Sequence, residues 1–281
     1  MSDALSSTAA RGQRRRLGNI VLAACGAVGG ATLLALLAVV IWAIGQGLAD
    51  IGGTLARRDD ASDAFIAAFT GSIVISLVAT FGSVAIGIGA AIYVSEAMNR
   101  PRLTRLIFGA VQSWASLPSV VFGIVGMRLV TSGLQQVPGF LAATLTLSIL
   151  AIPRIMLATR DAMLQVPDAM RAASYALGAT RLQTVRDHIL PLAIRGIAGG
   201  VLTTLARTFG ATAPLVMLGL VMNSEDAWPT LPAAAMEAVV TGGKSSAELA
   251  GAAVAVVVMV HVAATLWAGG LQRRFQREPW A

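Results

Sequence analysis

Apolar positions in this chain fall into long runs, broken only by a few interior charges, instead of alternating with polar ones. The runs cover 19–45, 64–94, 106–130, 140–163, 196–221 and 249–271. A helix needs roughly 20 predominantly apolar residues to cross about 30 Å of hydrocarbon, and each run meets that length. Backbone polar groups inside a bilayer must be satisfied within the segment, and nothing here resembles the period-two pattern of a barrel strand. The pattern therefore predicts an all-α integral membrane protein with six transmembrane helices. It divides the chain into an N-terminal segment at 1–18, a first span at 19–45, an outer loop at 46–63 and spans two to four within 64–163. A loop at 164–195, spans five and six within 196–271 with an outer loop at 222–248, and a tail at 272–281 complete the division.

Composition sharpens this picture. Of 281 residues 56% are hydrophobic and only 12% charged, against about 45–50% and about 25% in soluble domains. Cys25 is the only cysteine, so no disulfide closes within one chain. A net charge of +7 would hint at nucleic acid in a soluble domain, but the basic residues follow the runs. Arg11, Arg14 to Arg16, Arg100, Arg102, Arg105, Arg160, Arg171, Arg181, Arg186, Arg195, Arg273, Arg274 and Arg277 fall on one side, while the opposite loops hold only Arg57, Arg58 and Lys244. The positive-inside rule then predicts both termini on the cytoplasmic side, with lipid and not nucleic acid as the surrounding partner.

Three local patterns imitate other functions. Arg14 to Arg16 followed by Leu22-Ala23-Ala24-Cys25 looks like a lipoprotein signal, but the apolar run continues past Cys25 to Gly45, as a retained span does. Ala238 to Ser245 approximates a phosphate-cradling loop without its first glycine or a preceding strand. His188 and His261 stand apart from any cysteine or carboxylate at ligand spacing, so no metal is expected.

The loop at 164–195 is strongly patterned. Pro167 and Asp168 open a helix, Met170, Ala173 and Leu177 share a face with Arg171 off it, and Gly178 supplies a stop. Thr180 with Gln183 forms a capping box for a second helix whose apolar face is Leu182, Val185 and Ile189, with Pro191 expected to break it before the fifth span. A pair of short helices hinged at glycine results, and by itself it would also suit a pair lying in the headgroups.

This loop resembles the signature of ABC-importer membrane subunits of type I. Ala172-Ala173-Ser174, Gly178 and His188-Ile189-Leu190-Pro191 fall at that family's spacing, after Val166-Pro167 and with Ala179-Thr180 following the glycine. Leu117 to Gly123, Ala176 to Thr180, Leu205 to Leu215 and Thr230-Leu231-Pro232 are similar to the PstA-type permeases of phosphate transporters. The resemblance implies a non-catalytic permease subunit with six spans and a coupling-helix pair. Arg171, Ala172, Ala173, Ser174, Leu177, Gly178 and Arg181 would meet a cytoplasmic ATPase dimer. It further implies a related second permease of PstC type, an external phosphate-binding protein, and ATP and magnesium held only by the partner ATPase. Two departures stand out: Ala172 and Ala211 replace glutamates of the family pattern. On a continuous helix a carboxylate at 211 would stand one turn from Arg207, so Ala211 leaves that arginine either free for an anion or paired with another subunit.

Arginine within a span costs a few kcal/mol even on lenient scales and marks a cavity, a pathway or a buried partner. Its planar fork suits the oxygens of phosphate or sulfate and repels cations. Arg207 with Thr208 and Thr212, and Arg154 next to Pro153, are the candidate substrate-pathway residues, Arg154 serving either a pathway or interhelical hydrogen bonding. Arg128 lies near a span end, where it can snorkel. Pro118 and Pro214 are expected to kink their helices. Ser83, Gly87, Ala91 and Ser95 form a small-residue stripe for close helix packing. The expected cargo is inorganic phosphate. Sulfate, molybdate or tungstate is the competing substrate, and relaying phosphate status to a sensor kinase is the competing function.

Overall fold

A computed structural model describes residues 60–98, 100–132, 139–219, 228–242 and 244–277, with scattered positions between 38 and 51. The predicted first span and outer loop lie largely outside the described residues. All regular structure among the described residues is helical: α1 (Asp60–Ile92), α2 (Pro101–Ala115), α3 (Ser119–Ser132), α4 (Gly139–Leu164), α5 (Asp168–Ala176), α6 (Arg181–Thr184), α7 (Leu190–Phe209), α8 (Thr212–Gly219), α9 (Leu231–Thr241) and α10 (Lys244–Arg277). Among the described residues four helical stretches are long and apolar enough to cross a membrane, namely Ser62–Ala97, Gly139–Leu164, Arg181–Phe209 and Ala247–Gly270. A bent pair, α2 with α3, would make a fifth.

α1 and α4 are the central pair, and their contact shows why small residues recur along α1. A Cβ on Gly87 would come within 2.8 Å of Ile155, Ala91 is fully buried, and Ser83 donates to the Ser148 carbonyl at 3.2 Å. The stripe at Ser83, Gly87 and Ala91 is the seam between these helices. One cluster of Ile75, Ala79, Leu147, Leu150, Phe122 and Leu215 fills the space above it. A second, with Met163, Val166, Val185, Ile189 and Ala193, fills the end nearer the helix pair.

The proline expectations divide: the bend at Pro118 is present, and those at Pro214 and Pro191 need correction. The run at 106–130 is two helices meeting at 91°, because Leu117 precedes a proline, a position that disfavours helical backbone. Ser116 still caps α2 through Gln112, and α3 begins after Pro118. The run at 196–221 also divides: α7 ends at Phe209, Gly210 caps it, and Pro214 sits inside the separate short helix α8 instead of kinking the fifth span. Finally, Pro191 does not break its helix. The turn before it, Val185–Ile189, widens to a π-helix in which Leu190 N–H bonds the Val185 carbonyl. A wide turn absorbs a missing donor and a bulky ring that a regular turn would not. The outer loop at 222–248 contains α9, whose Leu231, Ala235 and Ala238 pack on Ala252 and Ala253 of α10. Ser72 of α1 accepts the Leu231 N–H at 2.7 Å and fixes the start of α9.

Candidate functional site: an arginine-walled cavity and an exposed helix pair

α4 and α7 cross along a second small-residue seam. A Cβ on Gly196 would approach the Ala162 Cβ to 2.8 Å, and one on Gly200 would run into Ala158. Both pairs repeat at four-residue intervals, so one turn of each helix presses against one turn of the other. Next to this seam the helices part around a cavity of about 390 Å³ lined by Arg154, Ala158, Asp161, Ala162 and Gln165 of α4 and by Gly196, Gly200, Thr203, Thr204 and Arg207 of α7.

The cavity is polarised. The helices run antiparallel, so Arg154 and Arg207 wall one end, while Asp161 and Gln165 stand toward the end where the chain turns into α5. The Arg154 Nη1 is buried without a hydrogen-bond partner among the described residues. Buried donors are almost always satisfied, and a guanidinium carries no acceptor that could be satisfied by a neighbouring donor. A guanidinium that lines such a space and keeps a donor unpaired beside it is suited to an oxyanion. Arg207 occupies the last turn of α7, where the free carbonyls of a helix C-terminus favour a cation. The Asp161 carboxylate lies 3.9 Å from Arg160 at the rim.

Of the expected pathway residues, the structure brings Arg154 and Arg207 together around the cavity and turns Thr208 to another partner. Thr208 is 1% exposed and its Oγ1 lies 3.0 Å from the Thr80 Oγ1 of α1, which makes it a brace between helices. Thr212 opens α8 beyond the Gly210 cap, and its side chain lies outside what is described. Arg128 closes the apolar part of α3 away from the cavity. Ala211 is buried with Ile75, Leu147 and Leu215. Because α7 stops at Phe209, a carboxylate at 211 would not face Arg207 along a shared helix. Asp161, Gln165, Thr203 and Thr204 escaped the sequence reading. The spacing of Ala158 to Ala162 and of Gly196 to Gly200, the same small-residue signal read on α1, marks the seam that brings them together.

The loop at 164–195 forms the helix pair α5 and α6. Gly178 has φ of +85°, Ala179 N–H bonds the Ser174 carbonyl and Gly178 N–H the Tyr175 carbonyl. This is the Schellman closure, which needs a left-handed residue and so favours glycine. Thr180 and Gln183 exchange both bonds of a capping box, and Ser174 meets the buried Thr184 hydroxyl at 2.9 Å.

The outward face differs from expectation. Arg171 turns inward, ion-paired to Glu96 in the π-helical turn Tyr93–Ala97 that follows α1 and donating to the Met163 carbonyl at 3.0 Å. Arg181 donates to the Glu96 carbonyl at 3.3 Å. Ala172 and Ala173 are exposed, as are Leu177 at 89% and Leu182 at 74%. Leu182 therefore leaves the buried face that Val185 and Ile189 share with Thr184. Polar groups anchor the pair to the bundle, and apolar groups form its tip.

Comparison with known proteins places these features. The chain is 33% identical over 153 residues to phosphate transport system permease protein PstA 1 of Mycobacterium tuberculosis, a match covering 54% of this chain and 49% of that protein. It is 30% identical over 172 residues to permease protein PstC of Mesorhizobium japonicum, covering 52% of each. The chain thus spans about half the length of the curated relatives it matches. Its fold is similar to a chain of the inward-facing MetNI methionine ABC transporter, with a TM-score of 0.63 and 19% identity over 75% of this chain and 95% of that one. A family profile described as binding-protein-dependent transport system inner membrane component matches residues 83–277, a stretch that holds both the α4–α7 cavity and the α5–α6 pair. By that match the chain belongs to the inner membrane components of binding-protein-dependent transport systems.

Proposed function

We propose that this chain is a permease subunit of an ATP-driven importer of inorganic phosphate and forms half of the translocation pathway. The observation that carries the reading is the pair of guanidinium groups at one end of the α4–α7 cavity, one of them with a buried donor that meets no acceptor among the described residues. Two forks there can hold a tetrahedral oxyanion by charge-assisted hydrogen bonds, each about twice as strong as a neutral one. The names of its PstA and PstC relatives favour phosphate over sulfate, molybdate or tungstate.

In this reading the chain does not hydrolyse ATP. The exposed apolar tip of α5 and α6, at Ala172, Ala173, Leu177 and Leu182, inserts into a cytoplasmic ATPase dimer, and both termini lie on that side of the inner membrane. Closure of the ATPase reaches α1 through Arg171, Arg181 and Glu96, and reaches α7 through the unbroken stretch from Arg181 to Phe209. A second permease of PstC type completes the pathway, and a phosphate-binding protein delivers cargo from outside.

The test is uptake of labelled phosphate by cells that depend on this chain and its partner subunits. The R154Q/R207Q variant should assemble, hydrolyse ATP and accumulate little phosphate. Undiminished uptake by the assembled variant would refute the pathway, and competition by excess sulfate or molybdate equal to that by phosphate would refute the cargo.

A further inference from the structure

A second basic cavity lies apart from the α4–α7 site, and nothing in the transport reading uses it. It encloses about 500 Å³ between the end of α1, the first turns of α2 and the α4 residue Arg160, and its lining includes Met98, Arg100, Thr104, Arg105, Phe108 and Arg160. The site is built. Phe108 is 4% exposed, and the Arg160 guanidinium stacks on its ring at 4.5 Å from the centroid, which holds that fork in a fixed plane. Thr104 ties α2 to the π-helical turn after α1 through the Val94 carbonyl at 3.3 Å. The first turn of α2 adds the partial positive charge of a helix N-terminus. No acid lines this cavity among the described residues; Asp161 lies 3.9 Å from Arg160, and Glu96 and Asp168 line an adjoining cavity that shares Arg160.

Hydrocarbon lies beside this charge. α2 leaves Leu103 37%, Leu106 70% and Trp114 41% exposed, and at about 100° per residue these three fall on one stripe of the helix, off the face that carries Phe108. An arginine-lined cavity at the end of membrane-spanning helices, with an apolar stripe and a tryptophan alongside, matches the two parts of a phospholipid: phosphate in the cavity and acyl chains along the helix. A soluble oxyanion accounts for the arginines but not for the stripe.

We infer that Arg100, Arg105 and Arg160 form a binding site for the phosphate of an anionic phospholipid. The inference rests on the membrane-spanning reading of α1 and α4 and is independent of which anion is transported. The lipid would fasten the junction of α1 and α2 within reach of Glu96, the residue that holds the α5–α6 pair.

The test uses the full chain purified with its partner subunits in mild detergent. Native mass spectrometry measures retention of added phosphatidylglycerol or phosphatidylcholine, with and without inorganic phosphate. Wild type should retain phosphatidylglycerol preferentially. R100Q/R105Q should weaken that retention about thirty-fold, from the typical contribution of each basic group near an anionic lipid surface, and F108L should weaken it several-fold with no change of charge. R186Q, which alters an exposed arginine elsewhere, should match wild type. Equal retention of the two lipids, or undiminished retention by R100Q/R105Q, overturns the inference. Displacement of phosphatidylglycerol by inorganic phosphate would make the cavity a soluble-oxyanion site and overturn it as well. Should the double variant fail to assemble, R160Q decides, and unchanged retention overturns the site. The readout is lipid, so it stands or falls separately from phosphate uptake.

Discussion

Replacing Gly196 by alanine tests the geometry on which the cavity depends. In an exposed helix interior this change gains about 1 kcal/mol from helix propensity. Here the new Cβ would sit 2.8 Å from the Ala162 Cβ, against about 3.5–4.0 Å for carbon atoms in contact. Both atoms are fixed to backbone, so no rotamer relieves the overlap, and α4 and α7 must separate by about 1 Å. Overpacking of this kind costs about 1–3 kcal/mol net of relaxation. G196A should therefore destabilise the purified protein by about 1–2 kcal/mol in chemical unfolding from mixed micelles. G82A, whose Cβ meets nothing within 4 Å, should be neutral or slightly stabilising. The pairing is decided by A162G, which removes the opposing methyl. The double variant should recover most of the loss, with a coupling energy above about 1 kcal/mol. If the two changes add within about 0.5 kcal/mol, as independent sites do, or if G196A behaves like G82A, the helices are not in contact at this seam and the cavity beside it is wrongly drawn. G196A should also lower phosphate uptake, because it moves Arg154 relative to Arg207.

Four further outcomes are expected. R207K keeps the charge but loses the fork, and uptake should fall at least about tenfold with assembly intact, since a charge-assisted hydrogen bond contributes about 1.5–3 kcal/mol; unchanged uptake would make Arg207 a packing residue. T208V should cost about 1–3 kcal/mol by leaving the buried Thr80 hydroxyl without its partner, yet transport by the assembled protein should persist, and selective loss of transport would return Thr208 to the pathway. L177D adds a charge to the exposed tip and should abolish co-purification with the ATPase while leaving the unfolding midpoint unchanged. G178V forces a β-branched residue to a φ of +85°, a strain of about 1–3 kcal/mol; ATP hydrolysis should continue while uptake falls, and coupled transport in this variant would exclude the helix pair as the connection.

What could be read from the sequence divides along physical lines. α1, α4 and α10 were legible because hydrophobic length is an additive local property. The α5–α6 pair was legible because its signals, Pro167, Gly178 and the Thr180–Gln183 box, act within one turn of themselves. The direction of α5 was not. Amphipathic spacing identifies a stripe of Met170, Ala173 and Leu177 but cannot state whether this chain or another covers it. The answer came from Glu96, distant in sequence, which draws Arg171 inward and turns Leu177 out. Thr208 shows the same limit: a hydroxyl inside an apolar run reads alike whether it faces a pathway or a threonine on another helix.

Ala211 carries the lesson furthest, because its interpretation turned on a single break in a helix. With the fifth span continuous, losing a carboxylate at 211 deprives Arg207 of a neighbour one turn away. With α7 capped at Gly210, position 211 lies between α7 and α8 and packs in an apolar cluster with Ile75 and Leu147. An ionised carboxylate there would need a partner to offset its burial, whereas alanine needs none. Arg207 is instead favoured by the carbonyl end of its own helix, which does not neutralise it as an ion pair would. Alanine at 211 is thus compatible with an arginine whose fork still faces the cavity, and A211E should disturb the packing of α8 before it quenches Arg207. A stable A211E variant with wild-type unfolding and lost uptake would show the opposite, that the two positions face each other across the pathway.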